Sequence, residues 1–430
     1  MNAVVPPLPP DPGLPGARGL LRGDGARAVG SFLSARGWEM QDARPVQAMY
    51  RPGGSLVVRF RVRARHPSGE SRLPTLCVET RTEPRRSLSP PEAFSHRYDI
   101  TNPIDEGPPY AAWAFPYDPG LKGLTDAAWG PTAKDAIRAL GERPRAVSVR
   151  PLNYRPRRRA VFHYQCLHGR DRPDGARRAV YAKVMRTEQA RRVLQTAAAV
   201  SRRKAGVKLS LPIASAHENV ILFDPLPGTS LRDLILNGGR LPAPERICGL
   251  VASIGSLDGI VAPSRRHGRP PIEVVSGTRD LLDRLAPDVA AETVTVVDAV
   301  ARGAARDDVA GRVVHGDLYE AQVFVADDFS LGLIDLDDVG IGDPALDAAN
   351  FCAHLLALAM AVPAAKDRIL AYRTILRGAF LETLDLSPEA FAWREALVMM
   401  QLATGPFRVL HPRWPQRVGA GVRVAARLVA

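Results

Sequence analysis

The 430 residues suffice for two or three domains with ordinary cores, and a 46% hydrophobic, 24% charged composition belongs to a folded chain. The net charge of +13 is unevenly placed: residues 141–205 hold 18 Lys/Arg against 4 Asp/Glu, whereas residues 206–430 carry a net −5. Cys77, Cys166, Cys248 and Cys352 lack paired spacing, which excludes a zinc ribbon or disulfide framework, and the longest apolar stretch, residues 351–365, is too short to span a bilayer.

Residues 1–20 are proline-rich and lack the basic start and apolar core of a secretory signal, so they read as a disordered tail on a cytoplasmic chain. Residues 21–140 form an α+β unit in which Tyr50-Arg-Pro52 and Arg81-Thr-Glu83 bracket an alternating strand, a polar turn and a second strand. The pattern returns 104–105 residues later between Tyr154-Arg-Pro156 and Arg186-Thr-Glu188, with Val78 falling where Lys183 stands. The likeness is either a decayed internal repeat or two strand pairs sharing an arginine-rich composition.

Within residues 141–238, strands are expected over 159–167 and 179–185, separated by a polar turn at 169–177. A helix follows over 187–205 with Thr187 as N-cap; Glu188 is its only acid and so the candidate partner for Lys183. Arg157, Arg158 and Arg159 sit at a hairpin tip, either as forked donors to phosphate or as a solvated basic turn. No Gly-x-x-x-x-Gly-Lys occurs, which excludes a P-loop NTPase. The basic run lacks interleaved aromatics at stacking density and matches no nucleic-acid-binding motif, so nucleic acid is not an expected partner, and no membrane is expected either.

Residues 239–430 are mainly helical, with helices expected over 245–257, 278–285 and 290–304 and again from Pro344, broken near Pro363, Pro388 and Pro412. Between them two short apolar strands carry polar tips, Asp317 and Asp335. A hairpin turning at residues 327–330 brings Gln322 towards Asp335. One carboxylate for an attacking hydroxyl, with an amide and a second carboxylate for magnesium, is the layout phosphoryl transfer needs.

His315-Gly316-Asp317, Gln322, Ile334-Asp335 and Gly342-Asp343-Pro344 with Asp347 stand in the order and spacing of one family. The block resembles the aminoglycoside phosphotransferase and choline kinase-like superfamily. That resemblance implies an α+β, protein-kinase-like two-lobed fold: a β-rich nucleotide lobe over 141–238, a helical catalytic lobe over 239–430, and the additional unit before them. It makes Asp317 the catalytic base and Asp335, with Gln322, the magnesium ligands. Lys183, Glu188 and the arginines 157–159 fall to the ATP phosphates, and His315 and Asp343 to support of the catalytic loop. Residues 220–231 are similar to the linker whose backbone bonds adenine. The family most often has Asn in place of Gln322, although its maltokinase branch carries Gln, and its usual glycine-rich loop is missing here. The implied activity is ATP- and Mg2+-dependent transfer to a hydroxyl of a small molecule, a sugar or an aminoglycoside-like compound, with Trp393 and Trp414 as stacking surfaces for a sugar. The alternative is a catalytically inactive binding protein on the same scaffold. If the internal likeness is a decayed repeat, the N-terminal unit is a nucleotide lobe that has lost its phosphate lysine.

Overall fold

Over residues 55–65, Phe60, Val62 and Ala64 are buried while Arg61, Arg63 and Arg65 are exposed, the period of a strand with one covered face. In the computed structural model, residues 6–430 are described apart from 83–103, 108–109, 169–178, 201–206, 217–218, 258, 261 and 308–310. The expected polar turn at 169–177 lies outside the described residues. The chain forms two compact units: residues 1–190, 213–223 and 406–415 make the first, and residues 191–212, 224–405 and 416–430 the second. The expected boundary at 140/141 therefore falls inside a unit. The chain enters the second unit for its main run at Asp224, within the expected linker.

The first unit opens with helices α1 (Gly16–Arg22) and α2 (Asp24–Ser34), which lay Leu20, Val29 and Phe32 on a sheet. Its strands are β1 (Glu39–Arg51), β2 (Ser55–Arg65), β3 (Ser71–Arg72), β4 (Thr75–Arg81), β5 (Ile104–Gly107) and β6 (Tyr110–Ala114). The order is β1-β2-β4-β6-β5, antiparallel throughout, with β3 beside β2. Two helices follow, α3 (Leu124–Ala127) and α4 (Gly130–Arg138), and then β7 (Ala146–Arg155), β8 (Arg159–Leu167), β9 (Ala179–Met185) and α5 (Thr187–Val200). After β10 (Lys208–Leu209), the strands β11 (Pro212–Ser215) and β12 (Val220–Phe223) complete a second sheet of order β11-β12-β9-β8-β7.

The two sheets have the same plan: two helices, a long hairpin, a third strand, then a two-stranded return whose second strand pairs with the third. Arg51 faces Ser55 and Arg155 faces Arg159 across three-residue tips. Val57 pairs with Glu79 and Val161 with Lys183, so the register is constant at 104 residues through β2 and β4. Glu79, not Val78, thus occupies the position of Lys183. The expected alignment was one residue out, and along a strand one residue changes the face.

Trp113, Cys77 and Val57 from the first sheet share a core with Tyr154, Phe162 and Tyr164 from the second. Residues 6–20 are not a disordered tail either. Leu8 and Leu14 are buried, and the Asp11 carboxylate accepts from the Tyr50 hydroxyl (2.5 Å) and the Gly53 amide (2.8 Å).

The second unit is mainly helical: α6 (Leu231–Leu236), α7 (Pro244–Gly255), α8 (Pro271–Leu285), α9 (Ala290–Arg306), α10 (Pro344–Ala361), α11 (Lys366–Thr383) and α12 (Pro388–Ala403). One small sheet is β10-β16-β15-β13, in which β13 (Thr229–Ser230) and β10 flank the expected hairpin of β15 (Val323–Val325) and β16 (Leu331–Leu333). A second joins β14 (Arg312–Val314) to β17 (Gly340–Gly342). Among the described residues α10 is the one helix long and apolar enough to cross a membrane. It packs instead on α11 and α12 with Phe351, Cys352 and Leu355 in the core.

Candidate active site

β14 delivers the chain into His315-Gly316-Asp317, where Gly316 has φ 80° and an added Cβ would meet the Asp338 carbonyl at 2.5 Å, so only glycine fits. His315 is fully buried, and its Nε2 lies 3.0 Å from the Ile334 carbonyl, tying the loop to the strand that leads to Asp335. The backbone of the loop is gripped by Asp347, whose two carboxylate oxygens accept from the His315 amide (2.6 Å) and the Gly316 amide (2.9 Å). Asn350, three residues on and so on the same helical face, donates to the Leu318 carbonyl at 2.7 Å.

The bracing role expected of Asp343 therefore belongs to Asp347. Asp343 is the N-cap of α10: it accepts from the Ala345 amide (2.9 Å) and from the buried Arg394 guanidinium (2.6 Å). One Asp343 oxygen is committed to its own first turn and the other to Arg394, so the next turn supplies the carboxylate that reaches the loop.

The Val323–Leu333 pairing places Gln322 and Ile334 opposite one another, and Gln322 Nε2 donates to Asp335 Oδ2 at 3.1 Å. Asp335 stands at φ 63°, ψ 49°, in the left-handed region. Such backbone costs most non-glycine residues about 1–2 kcal/mol, is tolerated better by Asp and Asn, and concentrates at functional positions. The carboxylate and the amide oxygen of this pair are hard donors. They fit Mg2+, which takes one or two protein oxygens and fills its remaining positions with water and phosphate.

Burial pushes the Asp317 carboxyl above its ordinary range; Arg266 opposes the shift and Asp335 adds to it. Arg266 Nη1 lies 2.9 Å from Asp317 Oδ1, and its Nε 3.3 Å from Asp338 Oδ2. The arginine is delivered by the segment between α7 and α8, which pairs with β17: Ile341 donates to Ala262 O (2.9 Å) and Ser264 to Ile341 O (2.8 Å). Sequence reasoning missed Arg266 and Asn350, and it placed Asp347 in the motif without giving it a role. The available signals were Arg265-Arg266-His267 in an otherwise acidic half, and two polar residues one turn apart in the apolar α10.

In the first unit, Lys183 is 8% exposed on β9, flanked by Val161 on β8 and Ile221 on β12. Glu188, at the start of α5, is exposed. Arg157 is no free phosphate clamp: its guanidinium bonds the buried Glu79 carboxylate at 2.5 Å and lies over the Trp113 ring. Arg158 is exposed and Arg159 half-buried. Trp393 and Trp414 are 2% and 1% exposed, bonded to Asp307 and to the Pro6 carbonyl respectively, so neither offers a face to a sugar.

Residues 174–381, just under half of the chain, match the phosphotransferase enzyme family. Among solved structures, a thermostable mutant of the aminoglycoside phosphotransferase APH(4)-Ia aligns at 12% identity and TM-score 0.48, covering 68% of this chain and 97% of its own. Choline kinase LicA from Streptococcus pneumoniae aligns at 14% identity and TM-score 0.46, over 68% and 98%. A macrolide 2'-phosphotransferase type I aligns at 15% and 0.45, over 68% and 96%. Among curated proteins none matches the sequence.

Proposed function

We propose, from the place of residues 174–381 in the phosphotransferase enzyme family, that this small-molecule kinase takes its phosphoryl group from ATP with Mg2+ and passes it to a hydroxyl of a neutral, sugar-like acceptor. The observation that carries the reading is Asp335, held in left-handed backbone with its carboxylate against Gln322, beside a half-buried Asp317 on the adjoining loop. A carboxylate and an amide oxygen held side by side are a pair that one hard cation can join.

Asp317 receives the proton of the acceptor hydroxyl as its oxygen attacks the terminal phosphorus and the bond to the ADP oxygen breaks. Desolvation makes the carboxylate a stronger base than an exposed one. Arg266 occupies Oδ1, which leaves Oδ2 to meet the hydroxyl. Mg2+, when bound, neutralises charge on the triphosphate, with Asp335 and Gln322 as its protein ligands. Lys183 is the cation of the first unit assigned to the phosphates. Arg265 and Arg266 already balance Asp338 and Asp317, which supports a neutral acceptor over a polycationic one. Four buried, unbridged cysteines are consistent with a reducing compartment where ATP is plentiful, the cytoplasm.

The test is ATP turnover against a panel of sugars and aminoglycosides with wild type and Asp317→Asn. The variant should lose about 10²–10⁴-fold in turnover and keep nucleotide affinity. Near-wild-type turnover by Asp317→Asn removes the assignment of the base.

A further inference from the structure

The N-terminal sheet has no part in the chemistry above, yet it repeats the plan and register of the sheet that bears Lys183. The copies meet at two positions where they differ in charge. Glu79 stands where Lys183 stands, and Arg157 stands where Gly53 stands. Both tip residues are left-handed, Gly53 at φ 67° and Arg157 at φ 62°. The Glu79 carboxylate, 2% exposed, holds the Arg157 guanidinium at 2.5 Å.

The rest of the β7–β8 tip is held by the same sheet and the turn that follows it. Asp118 Oδ2 accepts from the Arg157 amide (2.6 Å) and the Tyr154 hydroxyl (2.9 Å). Trp113 Nε1 donates to that hydroxyl (3.0 Å), and Arg59 to the Tyr154 carbonyl (2.7 Å). The Arg157 carbonyl is taken by Arg186 at 2.8 Å. An added Cβ at Gly120 would come within 3.0 Å of Arg157 Cα, so the turn and the tip are in contact.

We propose that the N-terminal sheet is a diverged duplicate of the nucleotide sheet, converted from holding phosphate to holding the phosphate-side hairpin of its sister, with Glu79 and Asp118 as positioning residues for that hairpin. Exchanging a buried lysine for a buried glutamate reverses what the position attracts: triphosphate is repelled and a guanidinium is bound. The tip lacks glycine and is fixed by hydrogen bonds, so its donors are oriented before a nucleotide arrives and less ordering is needed on binding. The phosphate role rests on the ATP reading above; the holding of the hairpin does not.

The experiment uses the full chain as wild type, Glu79→Gln and Asp118→Asn. Without nucleotide, amide exchange over residues 156–159 is followed by mass spectrometry; with nucleotide, affinities for ATP and for adenosine are measured by calorimetry. Both variants should exchange faster at the tip and lose about tenfold in ATP affinity, the worth of one charge-assisted hydrogen bond, with adenosine affinity unchanged. A merely structural role would lower both affinities together, and that result overturns the proposal. So does exchange as slow as wild type in both variants, or fast exchange with ATP affinity retained. A wild-type chain that does not bind ATP overturns the donor proposed above and the phosphate role here, while the exchange arm still decides whether the sheet holds the hairpin.

Discussion

Replacing Asp347 by Asn should damage catalysis far more than replacing Asp343 by Asn, although both aspartates are buried and only one turn apart. Asp347 uses one oxygen for the His315 amide and the other for the Gly316 amide. Asn keeps a single acceptor and turns an NH2 towards the second amide. One buried N–H then goes unsatisfied, at about 1–3 kcal/mol, and the surviving bond loses its charge assistance, about 1 kcal/mol more. The sum, about 2–4 kcal/mol, lowers the melting temperature by roughly 4–16 °C. Since these amides set the backbone that carries Asp317, a displacement near 1 Å adds about a hundredfold loss of turnover per folded molecule. In Asp343→Asn the cap survives, because Asn is as good an N-cap as Asp, and Arg394 keeps Asp307 and the Ala390 carbonyl. Its cost is about 1–3 kcal/mol of stability with turnover per folded molecule near wild type. Calorimetry gives the stabilities, and turnover normalised to folded protein gives the rest. Equal losses of normalised turnover in the two variants would refute the assignment of Asp347 as the brace.

Arg266→Met should move the acid limb of the kcat/KM profile to higher pH. Asp317 works only when ionised and activity falls as pH drops through its pKa, so removing the cation that opposes the burial shift raises that pKa further; a limb that stays in place or moves down contradicts the pairing. Asp335→Asn should keep the fold, since Asn tolerates left-handed backbone as Asp does, and should lose Mg2+-dependent ATP binding, whereas Gln322→Asn should retain it; metal titrations monitored through ATP affinity decide between these outcomes. Asp11→Ala should cost about 2 kcal/mol by orphaning the Tyr50 hydroxyl and the Gly53 amide, and an unchanged melting temperature would show that the N-terminal segment adds nothing to stability.

Much of the site was legible because its parts are local. The hairpin that brings Gln322 to Asp335 follows from two short apolar runs and a turn, and the two-residue period of β8 and β9 shows in their alternation. His315, Gly316 and Asp317 are consecutive on one loop and stand in the order of the family the sequence resembles, so the resemblance singled them out, and the left-handed turn at Gly316 accounts for the glycine. Other assignments needed the folded chain, because they depend on which distant group arrives first at a buried oxygen or nitrogen. Asp343 and Asp347 carry the same side chain. Capping spends the first on its own helix, and only the packing of α10 beneath the catalytic loop commits the second to it. Arg266 reaches Asp317 across 51 residues through the pairing of its segment with β17, a contact with no local periodicity. The basic tip looked free to bind phosphate until Glu79, 78 residues earlier, was seen to hold Arg157, and Trp393 and Trp414 looked available until burial took them. Sequence periodicity states which face of an element is apolar; the partner of a charge is settled only when two elements meet.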